Sequence, residues 1–167
     1  IDAKTKEMLN RLGKVDIKGK ARGSLKNIDF DGDVLTSLGN FDINAQIDGI
    51  KNKTKLILGK VQTDNFKLGT LLNQEQTVGS LAANVELDAE LKGKSLAGRV
   101  FGVLPFFELK GYKYQNAEAD VIIDNQLIDG FLAIADPNCD VEVEGHLKRA
   151  GRDSQVDLNL AVANINL

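Results

Sequence analysis

The sequence predicts a mainly β protein, built as a long antiparallel meander with one or two short helices. Two observations carry that reading. Long runs alternate apolar and charged residues with a period of two, and turn-forming residues recur at short intervals between them. The clearest run is Leu81-Ala82-Ala83-Asn84-Val85-Glu86-Leu87-Asp88-Ala89-Glu90-Leu91-Lys92. Successive strand side chains point to opposite faces, so Leu81, Ala83, Val85, Leu87, Ala89 and Leu91 share one side. Glu86, Asp88, Glu90 and Lys92 share the other. Such a sheet is oily on one face and wet on the other. Few helical segments are available to cover the oily face, which must meet itself, a partner or a lipid.

Taken in order, Ala3 to Leu12 carries Met8, Leu9 and Leu12 at helical spacing before Gly13 and reads as a short helix. Strand-like runs follow at Val15 to Ala21, Ile28 to Asp31, Val34 to Leu38, Phe41 to Ile47 and Lys53 to Val61. Phe66 to Gln74 clusters Phe66, Leu68, Leu71 and Leu72 on one side and reads as a second helix. Val78 to Lys92, Leu96 to Leu104, Phe107 to Tyr114, Ala117 to Ile123, Leu127 to Ala135, Cys139 to Leu147 and Gln155 to Ile165 complete the strands. Turns are expected at Asp31-Gly32, Leu38-Gly39-Asn40, Asp48-Gly49, Asp129-Gly130, Asp136-Pro137-Asn138 and Ala150-Gly151-Arg152-Asp153. Pro105 cannot donate to a ladder, so the apolar stretch Val100 to Phe107 marks an edge, a bulge or a bend, either a core corner or an exposed lip. No linker-like stretch divides the chain, so residues 1–167 are read as one domain.

A shift of 98 residues lays Asp31-Gly32 on Asp129-Gly130, Asn40 on Asn138 and Asp42 on Asp140, with apolar positions in the same phase. Two readings stand: two ordinary hairpins, or a duplicated hairpin unit.

Composition narrows the function classes. The chain has 167 residues, 43% hydrophobic and 27% charged, so it is neither disordered nor a membrane span. The net charge of −3, with Lys and Arg scattered among Asp and Glu, gives no electrostatic footprint for nucleic acid, and seven Phe, two Tyr and no Trp argue against stacking platforms for bases or sugars. The single Cys139 allows no internal disulfide and no cysteine-rich metal site. His146, the only histidine, has no nucleophile in a recognisable motif beside it and reads as a strand-end residue. Asp140, Glu142 and Glu144 share a strand face, as do Glu118, Asp120 and Asp124. Acids at period two are what a solvated sheet face requires, so no catalytic, metal or cofactor site is assigned and the chain is not read as an enzyme. Its first residue is Ile1, and it is expected to be an internal part of a longer protein.

Phe66-Lys67-Leu68-Gly69-Thr70-Leu71-Leu72 and Val85-Glu86-Leu87-Asp88-Ala89-Glu90-Leu91-Lys92-Gly93-Lys94 also carry a family likeness. So do Gly111-Tyr112-Lys113-Tyr114-Gln115-Asn116, Gly130-Phe131-Leu132-Ala133-Ile134-Ala135-Asp136-Pro137-Asn138 and Val156-Asp157-Leu158-Asn159-Leu160. In order and spacing, over most of residues 15–165, these resemble the periplasmic part of the TamB family of AsmA-like proteins, Bacteroidetes versions most. The resemblance implies a periplasmic segment of a protein anchored in the inner membrane of a Gram-negative bacterium. It implies a long, curved β-taco with an apolar groove, open and U-shaped unless a segment of this size closes into a filled sandwich. The implied roles are phospholipid transport between the two membranes and assembly of outer-membrane proteins with a TamA- or BamA-like barrel partner.

Phase then selects groove-lining candidates: Leu81, Ala83, Val85, Leu87, Ala89, Leu91, Val121, Ile123, Leu132, Ile134, Val141, Val143, Leu158 and Leu160. Small residues among the aliphatic ones (Ala83, Ala89, Ala119, Ala133, Ala161) are expected to keep such a wall smooth enough to hold phospholipid acyl chains. An alternative is a scaffold whose free strand edges pair with client β-strands.

Overall fold

The computed structural model describes residues 3–24, 26–93, 95–150 and 153–165. They form helix α1 (Ala3–Arg11), strands β1 (Asp16–Gly23), β2 (Asn27–Thr36), β3 (Gly39–Asp48) and β4 (Thr54–Phe66), then helix α2 (Leu68–Leu72). Strands β5 (Val78–Lys92), β6 (Ser95–Leu109), β7 (Tyr112–Asp124), β8 (Leu127–Asp136), β9 (Cys139–Ala150) and β10 (Asp153–Ile165) follow. All ten strands lie in one antiparallel sheet in chain order, β1 at one side and β10 at the other, and the sheet does not close into a barrel. Nine interstrand spacings of ~4.8 Å make it about 43 Å across.

Pairing register shows which residues share a face, because directly opposed residues in an antiparallel ladder project to the same side. The Val85 row runs through Val61 and Ile43 on one flank and through Gly102 and Ala119 on the other. It continues through Leu132, Val143 and Leu160. The opposite face carries ladders such as Lys20↔Asp31↔Asn44↔Lys60↔Glu86.

Two expected turns are strand interior. Asp31-Gly32 lies within β2 and Asp129-Gly130 within β8, so Ile28 to Asp31 and Val34 to Leu38 merge into one strand. Gly32 is glycine for a packing reason. It opposes Gly19, and a Cβ built on Gly19 would stand 2.9 Å from the Gly32 Cα. Leu96 to Leu104 and Phe107 to Tyr114 also redistribute. β6 runs unbroken through Pro105 to Leu109, and the chain reverses at Lys110-Gly111. Both turn residues have positive φ, 50° and 81°, as a tight hairpin turn requires. Pro105 sits beside a register shift between β5 and β6, at a bulge rather than a strand end. The second helix is shorter than expected, since Phe66 and Lys67 precede it and Asn73 ends it in the left-handed conformation at φ 58°.

The 98-residue shift relates β2 to β8 and β3 to β9 on the same faces, but not their partners. Gly32 opposes Ile43, whereas Gly130 opposes Gly145 and Val141 opposes Ile134, a slip of four residues. Asn40 lies in β3 and Asn138 in a turn. The two hairpins share phase without sharing register, which favours the reading as two ordinary hairpins.

The close-packed core is small. Among the described residues, Leu38, Phe66, Ala82, Ala89 and Ala117 are the buried apolar ones, with Phe41 and Phe66 rings 4.7 Å apart at one end of the sheet. There α1 and α2 pack, Arg11 donating to the Leu71 carbonyl at 3.1 Å and Ser37 N–H to the Leu12 carbonyl at 3.0 Å. Among the described residues, no helix is long and apolar enough to cross a membrane.

Candidate functional site

All fourteen groove candidates fall on one face. Ile57↔Ala89, Val61↔Val85 and Leu87↔Val100 hold it through the middle strands. Ile123↔Ile128, Ile134↔Val141 and Leu160↔Val143 hold it toward β10. The same face also collects apolar residues beyond those fourteen. These include Ile17, Ile28, Phe30, Val34, Ile43 and Ile47 on β1–β3, joined through Ile17↔Val34 and Ile28↔Ile47. Ala83, Ala89 and Ala119 lie on it. Ala133 and Ala161 do not: they oppose Glu142 on the charged face. The unbroken apolar run Phe131 to Ala135 hides its phase, and only the pairing reveals it.

Among the described residues no second layer covers this face. The accessible surface is 11629 Å², whereas a compact monomer of 18.1 kDa would expose about 8,100 Å². Most of the candidates are half-buried, and Leu158 and Leu160 on β10 are 62% and 64% exposed. Ala89 is the exception at 4%, shielded by the approach of β6. A Cβ on Gly98 would meet both the Cα and the Cβ of Ala89 at 2.8 Å. Paired Cβ atoms ordinarily stand about 4.5–5.5 Å apart. At this junction, as at Gly19/Gly32, the neighbouring backbone lies where the apolar-side Cβ would be, so the sheet bends toward its apolar face. Toward β10 that face encloses a cleft of ≈ 350 Å³ lined by Val121, Ile128, Leu132, Val143, Val156 and Leu158, among others.

The charged face carries its polar residues as cross-strand pairs. Arg99 donates from Nε to the Asp120 carboxylate at 2.7 Å, with a second bond from Nη2. His146 lies in mid-strand rather than at a strand end, its Nδ1 against Asp129 of β8. The hydrogen bond to Asp129, then the charges of Asp129, Asp157 and Glu144, raise its pKa above the ordinary histidine value. Asp140, Glu142 and Glu144 share this face, as do Glu118, Asp120 and Asp124. Among the described residues no three His, Cys, Asp or Glu side chains are placed to hold a metal ion. Cys139 is a free thiol, half-buried at the start of β9.

Asp136 is a different case. It is buried at the end of β8 and accepts from Tyr112 Oη at 2.7 Å, Gln115 N–H at 2.9 Å and Asn138 N–H at 2.9 Å. The Asn138 amide, then the Tyr112 hydroxyl, hold its carboxyl below the usual carboxylate range against the cost of desolvation. It locks the Pro137-Asn138 turn to the β6–β7 hairpin, where Tyr114 stacks on Phe107 at 5.0 Å and Lys113 lies 3.6 Å from the Phe106 ring. Nothing in the sequence tied Asp136 to Tyr112, 24 residues away.

No protein-family model, curated protein or solved structure matches this chain.

Proposed function

We propose that the chain is a segment of a lipid-conducting groove, a periplasmic part of a TamB- or AsmA-like protein working between inner and outer membranes. The observation that carries this is the apolar face, continuous in register across ten strands and left uncovered. Each CH₂ of an acyl chain laid on such a wall is removed from water at about 0.8 kcal/mol. A bilayer offers a similar gain, so chains exchange between membrane and wall without a deep trap, as conduction demands. Aliphatic side chains impose no fixed headgroup geometry, which suits a passage rather than a binding pocket. An outer-membrane barrel partner of the TamA or BamA kind belongs to the same proposal.

Photo-crosslinking residues at Val85, Leu87 and Val143, in the protein within its own envelope, are expected to capture phospholipid. Capture from Glu86 or Glu142 alone would overturn the assignment. A second reading is favoured by β10, thirteen residues long with a neighbour only at β9 among the described residues. It is pairing of that edge with client β-strands. On that reading a proline in β10 abolishes function while aspartate at Val85 is tolerated; the lipid groove requires the reverse.

A further inference from the structure

The two ends of the strands differ in charge. At the end where β1, β3 and β5 finish, three alternate connections of the meander are tied together by backbone hydrogen bonds. Ile50 N–H donates to the Lys26 carbonyl at 3.0 Å, and Gly93 N–H to the Lys53 carbonyl at 3.4 Å. These bonds gather Lys26, Lys51 and Lys53, all exposed, with Arg22 at the end of β1 and Lys92 at the end of β5. Lys55 joins them from the apolar side: it opposes Leu91, so a half-buried ammonium stem stands at the mouth of the greasy face. Among the described residues none of these six cations forms an ion pair. Three acids share these strand ends with the six cations: Asp29 opposes Arg22, Glu90 precedes Lys92 by two residues on the same strand face, and Asp48 accepts from Gln46 Nε2 at 3.1 Å, so the cations stay in excess.

The opposite end also holds cations without an ion pair among the described residues, Lys67 and Lys110, but sets others against acids. There Arg11 pairs with Glu7 at 2.7 Å and Lys14 with Asp16 at 2.8 Å, and Asp136 is held by Tyr112. The basic end is therefore a local feature of a chain whose net charge is −3.

We propose that this basic rim seats on the surface of a bilayer containing anionic phospholipid. Lys26, Lys51 and Lys53 meet the headgroup phosphates, and Lys55 marks the point where a chain passes onto the apolar face. Juxtaposed lysines are attracted to an anionic leaflet additively and within about a Debye length. The six cations carry no aromatic partner for base stacking, which favours a lipid surface over nucleic acid. The inference deepens the lipid-groove reading and takes its partner from it, but docking and groove loading are separate measurements.

The test is flotation of the chain with vesicles of phosphatidylcholine, with and without phosphatidylglycerol, at low and high salt. Binding is expected only to the anionic vesicles and is lost in high salt. The triple variant Lys26→Gln, Lys51→Gln, Lys53→Gln, at exposed loop positions, should bind roughly fivefold weaker per lysine, on the order of 100-fold in all. Lys67→Gln with Lys110→Gln, at the opposite end, should change nothing. Equal binding to both vesicle types, no binding to either, or an unaltered triple variant would overturn the proposal, as would capture by heparin without flotation. A fluorescent fatty-acid probe reads the groove separately. Anionic docking without probe uptake would sink the groove and leave the rim standing; probe uptake without docking would do the opposite.

Discussion

Gly98→Ala should destabilise this protein, and Gly59→Ala should stabilise it. Both glycines are strand residues on the apolar face, and neither has a positive φ that alanine would resist. Replacing glycine with alanine at a compatible site ordinarily adds about 0.4–1 kcal/mol by reducing the freedom of the unfolded chain. At Gly59 the new Cβ meets the Asn44 carbonyl at 3.7 Å and the Ala45 Cβ at 3.9 Å, which is ordinary contact. The gain should survive there. At Gly98 it meets the Asp88 carbonyl at 2.6 Å and Ala89 Cα and Cβ at 2.8 Å. Relief requires β5 and β6 to separate by about 0.6 Å or more, against a ladder paired along most of both strands. Overpacking of this kind costs about 1–3 kcal/mol and exceeds the entropic gain. Urea denaturation should show Gly98→Ala with a lower midpoint and Gly59→Ala with a higher one, at unchanged slope. In a domain of this size each kcal/mol moves Tm by about 2–4 °C. If the two variants shift the midpoint in the same upward direction, β6 does not approach β5 so closely, and the bend toward the apolar face has lost its structural basis.

Burial separates residues that hold the fold from those that present the face. Phe66→Ala, at 6% exposure against Phe41, should cost about 3–5 kcal/mol in denaturant. Leu160→Ala, at 64% exposure, should change stability by less than about 0.5 kcal/mol while reducing acyl-probe uptake; a large stability loss there would mean that face is core. Asp136 has a lowered pKa in the fold, so the stability it contributes is complete above the ordinary carboxylate range and fades as pH falls through the lowered value. Asp136→Asn should flatten that acid limb of the denaturation profile, and a limb as steep as in the parent protein would refute the assignment.

Phase was legible in the sequence wherever acids alternate with aliphatics. Val78 to Lys92 is one strand with the ends its pattern indicates, because Glu86, Asp88 and Glu90 cannot face the same way as Val85, Leu87 and Ala89. Legibility failed where glycine has two meanings. Asp31-Gly32 and Asp129-Gly130 have the chemistry of a hairpin turn, yet both glycines are mid-strand. Gly32 is where a neighbouring backbone comes too close for a side chain, a requirement set by a partner 13 residues earlier. It failed again at Lys110-Gly111, a two-residue reversal between long strands, where the apolar runs on either side concealed the break; the reversal at Asn125-Gln126 does fall between the expected strands Ala117 to Ile123 and Leu127 to Ala135. The charged rim was invisible for a similar reason: Lys26, Lys51, Lys53 and Lys92 are scattered in sequence, and only the meander brings alternate connections to one end.

An uncovered face has a thermodynamic consequence that bears on the proposed role. An unfolded chain of 18.1 kDa exposes about 26,000 Å², so folding to 11629 Å² removes roughly 56% of it, below the ~60% of a domain of only about 60 residues. The missing burial lies on the apolar face, since the charged face would stay wet in any arrangement. The ladder therefore fixes the shape of the sheet while leaving its largest favourable term, apolar burial, incomplete. An apolar occupant supplies part of that term without displacing any side chain, so a filled face stabilises the fold by mass action. The bend at Gly98 and Gly19/Gly32 increases this effect, because a wall that curves around an acyl chain covers more of it than a flat one. Curvature, openness and aliphatic composition each add to the area that an apolar occupant can cover.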